Sequence, residues 1–154
     1  MSDVFDKQVA FDGMTRRGIN RIEIHFSGGN DEGGIDYMQA TDFEGNEIDI
    51  PDTPWVSSSY ENQTVTQGVW LPHPMTTHGD FKNQKFVPLS DLDAEVLDNI
   101  NFRRSYESIV YGKYYNFAGD YYVEGTAILD ISENVAKITG QESVQEWSDI
   151  EESF

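Results

Sequence analysis

Arg21-Ile-Glu-Ile-His-Phe26, followed at once by Ser27-Gly-Gly-Asn-Asp-Glu-Gly-Gly34, is the stretch on which the fold turns. Alternation sends Ile22, Ile24 and Phe26 to one side and Arg21, Glu23 and His25 to the other, the period-two signature of a half-buried strand. The glycine-rich run is a tight, backbone-permissive connection in which the chain reverses. Residues 35–40 resume as a strand, Phe43-Glu-Gly-Asn46 turns again, and residues 47–50 read as a third strand with Ile48 and Ile50 inward. Glycine at each reversal predicts a three-stranded antiparallel meander.

Upstream, Ser2 or Asp3 is placed to cap a helix over residues 3–12, with Val4, Phe5, Val9 and Ala10 as its apolar face and Gly13 and Gly18 as its stop. Downstream, Pro51, Pro54, Pro72, Pro74 and Pro88 predict a long loop region over 51–88, with one strand at 63–71. Ser90 caps a second helix that carries Asp91, Asp93 and Glu95 early, where the dipole favours them, and runs to about Tyr111. Residues 121–123 and 126–131 read as strands, and Ser132-Glu-Asn134 turns into 135–139 to close a hairpin. Residues 141–154 form an acidic tail in which Glu142, Glu146 and Asp149 share one face at helical spacing, with Val144, Trp147 and Ile150 on another. The expected fold class is α+β: an antiparallel β-sheet, N-terminal meander plus C-terminal hairpin, with one or two packed helices, in a single domain over 1–154.

The loop residues Phe26, Gly28, Asp31, Gly33, Ile35 and Asp36 resemble the signature of an uncharacterised domain family of phage and plasmid mobile elements, with Asn30 where a second glycine stands. The hairpin from Gly119-Asp-Tyr-Tyr to Thr126-Ala-Ile-Leu-Asp-Ile-Ser is similar to the end of that family. The resemblance covers about half of the chain and implies a mobile-element origin without implying an activity.

Charge is distributed unevenly. No lysine or arginine occurs between Arg21 and Lys82, while residues 22–81 hold eleven acids and residues 114–154 balance at −8, within a net charge of −18. Ordinary surfaces mix both signs, because a one-sign field repels itself. The 38% hydrophobic and 13% aromatic content is that of a folded body and not of an acidic disordered chain. Absence of cysteine excludes disulfides, thiolate metal sites and a cysteine nucleophile. Neither a leader pattern nor an apolar run of membrane length occurs in these residues, so no membrane association and a cytoplasmic location are expected, the host cytoplasm if phage-encoded. Direct nucleic-acid binding is disfavoured by repulsion from phosphate.

Candidate sites follow from residue chemistry. A phosphate cradle at the glycine-rich run conflicts with Asp31, Glu32 and Asp36 and the lack of any cation there. The same oxygens could ligate calcium, but their spacing is not an EF-hand. His73, His78 and Asp80 are a zinc-type donor set without the spacing of a defined motif. We therefore expect neither metal nor cofactor. Tyr106, Tyr111, Tyr114, Tyr115, Phe117, Tyr121 and Tyr122 read as core with a protein-contact rim.

The function expected from these residues is a non-enzymatic phage- or plasmid-type inhibitor presenting a DNA-mimicking acidic surface to a nucleic-acid-binding host protein, such as a restriction or CRISPR nuclease. Asp31, Glu32, Asp36, Asp42, Glu44, Glu47 and Asp49 would form one face, extended by Glu142, Glu146, Asp149, Glu151 and Glu152, with Trp55, Trp70 and Trp147 adding specific contacts. The alternatives are an acidic viral structural or assembly protein, in which charge only solubilises, and a metal-dependent enzyme using loop acids with His73 or His78. Oligomeric state is not legible in the sequence.

Overall fold

The computed structural model describes residues 4–61, 63–71, 84–114, 117, 119–143 and 147–154. In chain order the elements are α1 (Lys7–Arg16), β1 (Arg21–Gly29), β2 (Glu32–Thr41), β3 (Glu47–Ile48), β4 (Ser57–Glu61), β5 (Thr64–Leu71), β6 (Lys85–Pro88), α2 (Ala94–Tyr111), β7 (Tyr122–Asp130), β8 (Val135–Ser143) and β9 (Trp147–Ser153). This is an α+β fold with antiparallel sheets, as expected. It divides into two compact units, residues 1–50 with 104–154, and residues 51–103, where a single domain was expected. Of the proline-rich stretch expected as a loop region, the described residues include strands at Ser57–Glu61, Thr64–Leu71 and Lys85–Pro88. These form a three-stranded sheet, β4-β5-β6, of which only β5 was anticipated.

The first unit is built on a six-stranded sheet ordered β3-β2-β1-β7-β8-β9. The alternation read in β1 holds: Ile22, Ile24 and Phe26 are buried, and register places Leu129, Ala127 and the cross-strand Ile138 and Ala136 on the same dry face. Each buried isoleucine, leucine or phenylalanine side chain contributes roughly 1.5–3 kcal/mol on burial. A sheet apolar on one face must cover it with another layer. Ala10 and Met14 of α1 and Tyr106, Ile109 and Val110 of α2 are the correspondingly buried helical residues.

Asp6 caps α1, its Oδ1 accepting the Gln8 and Val9 N–H groups at 3.0 and 3.2 Å. The helix therefore starts later than the sequence suggested, and Ser2 and Asp3 lie outside the described residues. Gly13 does not end it; it is buried within α1, beside Met14 on the packed face.

The glycine-rich run differs most from its reading as a connection. Both strands continue through it, leaving only Asn30 and Asp31 as the turn, with φ of 51° and 70°. Two left-handed residues make the turn that matches the twist of paired strands. Gly28 pairs with Gly33, and a Cβ at either position would lie 2.6 or 2.8 Å from the Phe117 ring. The same device recurs where Phe26 crosses Gly125, itself paired with Gly140. The glycines are there so that aromatic rings can lie on bare backbone.

At the chain's other end, residues 147–153 are not a helical tail. They form β9, paired along its length with β8. Residues 121–123 and 126–131, read as two short strands, are joined in the single strand β7, Tyr122–Asp130. The third meander strand is only Glu47–Ile48, so Asp49 lies beyond it.

In the second unit, Arg103 donates from Nη1 to the Thr53 carbonyl at 2.7 Å and to its hydroxyl at 3.0 Å, and its guanidinium stacks 3.7 Å from the Trp55 ring centre. Phe86 lies over Gly68 in the small sheet, and Val69, Ile100 and Phe102 are buried.

Candidate functional site

Alternation that buries one face of the six-stranded sheet turns the other towards solvent. Register assembles that open face in rows. Ser27 of β1 stands opposite Glu124 of β7, Glu124 opposite Gln141 of β8, and Gln141 opposite Asp149 of β9. A bulge between His25 and Phe26 brings Asp36 of β2 into the same row, where the Ser27 hydroxyl donates to its carboxylate at 2.6 Å. Gln141 Nε2 donates to Asp149 Oδ1 at 3.3 Å. Carboxylates thus recur on β2, β7 and β9, two strands apart, or about 9.6 Å at ordinary strand spacing.

The next row holds His25, Thr126, Thr139 and Glu151. His25 Nδ1 lies 3.2 Å from the Thr126 hydroxyl, and its ring centre lies 5.6 Å from that of Tyr37. Between the two rows is an open depression of about 500 Å³, lined by His25, Asp36, Glu124, Thr126, Thr139 and Gln141 among others. The cations of this face sit towards its other end. Arg21 pairs with Asp130 at 3.9 Å, and Lys137 stands two residues along β8 from Thr139.

The acids expected to share one face are separated, Asp36 alone standing in the row. Asp31 and Glu32 stand at the β1–β2 turn, one end of β2. Asp42, Glu44 and Glu47 lie at its other end, and a ten-residue strand spans roughly 30 Å. Asp49 follows β3 and is exposed. Asp42 is occupied: its Oδ1 accepts the N–H groups of Glu44 and Asn46 at 2.8 and 2.9 Å. Those donors, Asn46 first, hold its carboxyl below the ordinary value of 3.8. Asp42 thus holds the β2–β3 turn.

The C-terminal acids sort by strand parity instead of helical spacing. Trp147, Asp149 and Glu151 share the open side of β9, whereas Ile150 and Glu152 point to the opposite side. Glu142 is also on that opposite side, half-buried, with the Tyr114 hydroxyl donating to it at 3.4 Å. Burial, then the Glu142 charge, pushes the Tyr114 phenol well above its ordinary value. Glu152 pairs with Lys113. Glu142 and Glu152 are therefore engaged within the fold, and Glu146 lies outside the described residues. Among the described residues, Asp31, Glu32, Asp36, Glu44, Glu47, Asp49, Glu124, Asp149 and Glu151 make no ion pair. Glu124 and Glu23 were not singled out by the sequence. Their position opposite Ser27 and next to His25 required the strand register, although the β1 alternation already placed Glu23 outward.

The turn amides that an anion would need are consumed. Asn30 and Asp31 donate their N–H groups to the Gly119 and Phe117 carbonyls at 3.2 and 2.9 Å. Among the described residues no three His, Asp or Glu side chains gather where they could hold a metal ion. His73, His78 and Asp80 lie outside the described residues, as does Tyr115. Of the tyrosine cluster, Tyr106, Tyr114 and Phe117 are buried, Tyr111 and Tyr121 are half-buried, and Tyr122 is exposed. Trp55, Trp70 and Trp147 are each about half exposed or more. No described helix is long and apolar enough to cross a membrane.

Comparison of the chain with known protein families, with curated proteins and with solved structures returns no match.

Proposed function

We propose that this protein is a non-enzymatic binding protein whose open sheet face occupies the basic, nucleic-acid-binding surface of another protein. The observation that carries the reading is the row Asp36, Glu124 and Asp149, continued by Glu151, which is exposed in the main, makes no ion pair and is held in register by five strands. Carboxylates alternating along β9 are about 6.8 Å apart, twice the roughly 3.4 Å axial rise per phosphate of one DNA strand. Asp149 and Glu151 have that spacing, and the row across β2, β7 and β9 repeats at about 9.6 Å, close to three such rises, so the face offers a phosphate-binding groove its usual partner charge without the nucleic acid. Like charge on this face also opposes its packing against a second copy, which counts against an assembly protein built through it. We extend the proposal to a host defence nuclease as the class of target and the host cytoplasm as the place of action; the resemblance of the β1–β2 hairpin bears on a mobile-element origin alone.

The test reverses charge at matched cost. The pair Glu124→Lys with Asp149→Lys should abolish capture of a nucleic-acid-binding partner from nuclease-treated lysate. Glu44→Lys with Glu133→Lys, at turn tips away from the row, should retain it, although both pairs change net charge equally. Double-stranded DNA should compete the captured partner off the wild-type protein. Exposed substitutions of this kind shift stability by less than about 0.5 kcal/mol, so all variants should stay folded. Equal losses from the two pairs, or indifference to DNA, would overturn the reading.

A further inference from the structure

β9 ends the six-stranded sheet and has no neighbour on its other side among the described residues. Its free edge has a definite polarity. The Phe154 N–H donates to the Ala136 carbonyl at 2.9 Å, which makes Ala136 and Phe154 a hydrogen-bonded pair. Antiparallel ladders alternate such pairs with open ones. By register, Glu152, Ile150 and Ser148 then turn their backbone groups towards β8. Trp147, Asp149, Glu151 and Ser153 turn theirs outward. The residues with free backbone groups are therefore the same ones whose side chains stand on the open face.

Beneath this edge, on the side opposite the open face, is a concavity of about 320 Å³ lined by Lys113, Ile138, Ile150 and Glu152 together with Asp149 and Glu151. The edge thus offers a row of free amides and carbonyls, carboxylates on one side and, on the other, a recess of mixed character in which Ile150 adjoins the Lys113–Glu152 pair. Natural edges are commonly blunted by bulges, proline or charged side chains. β9 has neither bulge nor proline and is regular in its pairing throughout, and its charges, Asp149, Glu151 and Glu152, are all acidic, so they guard the edge against a like strand and not against a cationic one.

We propose that the β9 edge accepts an extended cationic segment of the partner as an added antiparallel strand. Lysine or arginine at alternate positions would lie beside Asp149 and Glu151, and the residues between them would face the recess beside Ile150 and the Lys113–Glu152 pair. Main-chain hydrogen bonds supply affinity in this mode, and alternate side chains supply specificity. Charge selects the occupant. A second copy pairing through the same edge would set Asp149 and Glu151 against their own equivalents, and like charges directly opposite are destabilising. This inference rests on the proposed basic partner and adds how one of its segments is held.

The probe is an acetylated, amidated Lys-Val-Lys-Val-Lys-Val peptide, titrated at physiological salt with Trp147 fluorescence and amide hydrogen exchange as readouts. Binding should slow exchange at Asp149 and Glu151. N-methylation of the lysine backbone nitrogens, which keeps every charge, should weaken binding at least tenfold. On the protein side, Glu151→Pro and Glu151→Gln lose the same charge, but only the first loses the outward N–H. That N–H does not serve β8, so proline is tolerated at such an edge position. Glu151→Pro should bind the peptide about tenfold more weakly than Glu151→Gln while melting within a few degrees of it. Should Glu151→Pro fail to fold, the N-methylated peptide against the wild-type protein decides alone. Equal binding of methylated and unmethylated peptides overturns strand addition and leaves the charged-face reading standing. No binding of either also overturns it, whatever the outcome of the Glu124 and Asp149 reversal. A dimer of the protein alone that Glu151→Pro returns to monomer would assign the edge to a second copy instead.

Discussion

Asp31 donates its backbone N–H to the Phe117 carbonyl at 2.9 Å, so the tip of the β1–β2 hairpin is tied to the segment that follows α2. The Phe117 ring continues that docking by lying over Gly28 and Gly33. A run of glycines with acids, which as sequence admits a turn, a phosphate cradle or a calcium loop, is used here as a packing surface.

Gly33→Ala tests this directly. Gly33 has φ of 155°, and an added Cβ would lie 2.7 Å from the Ser27 carbonyl and 2.8 Å from the Phe117 ring. Overpacking of this kind costs about 1–3 kcal/mol. Thermal melting should show a clearly destabilised variant, whereas Gly45→Ala, at a turn with open space around it, should lose less. Equal melting of Gly33→Ala and wild type would remove the packing explanation.

Asp42 gives a pH dependence with a defined sign. Its folded carboxyl titrates below the ordinary value of 3.8 because Asn46 and Glu44 donate to it. The stabilisation is present above that ordinary value and is lost as pH falls through the depressed one. Asp42→Ala should therefore melt lower than wild type near pH 7, with the gap closing in strong acid. A gap that persisted unchanged at low pH would show that the carboxylate is not what holds the turn.

Tyr114 works in the opposite direction. Burial and Glu142 raise its phenol above the ordinary value of 10.0, so the folded state favours the neutral ring. That stability is complete below about pH 10 and is lost as pH rises through the elevated value. Wild-type protein should lose melting temperature in alkali more steeply than Tyr114→Phe. Parallel alkaline curves would assign the loss to other groups.

By itself the sequence determined the antiparallel meander, the outward and inward sides of β1, the closing hairpin and the presence of the second helix, but not its start, because Ser90 lies in a 3-10 turn over Leu89–Asp91 and the α-helix begins at Ala94. These features rest on local rules: period-two alternation and turn chemistry act within a few residues of one another. It also determined that no cation interrupts the acids of residues 22–81. Tertiary structure alone decided which acids meet. Asp36, Glu124 and Asp149 are far apart in the chain and come into one row only through pairing across five strands. Asp42, Glu142 and Glu152 look equally available as letters and are taken up by a turn, a tyrosine and a lysine. The C-terminal residues were misread for a related reason. Glu142, Glu146 and Asp149 fit a helical spacing, and Trp147, Asp149 and Glu151 fit a strand, so periodicity over so short a stretch does not choose. The open edge of β8 chose, because pairing there satisfies backbone groups that a free helix beside it would leave exposed.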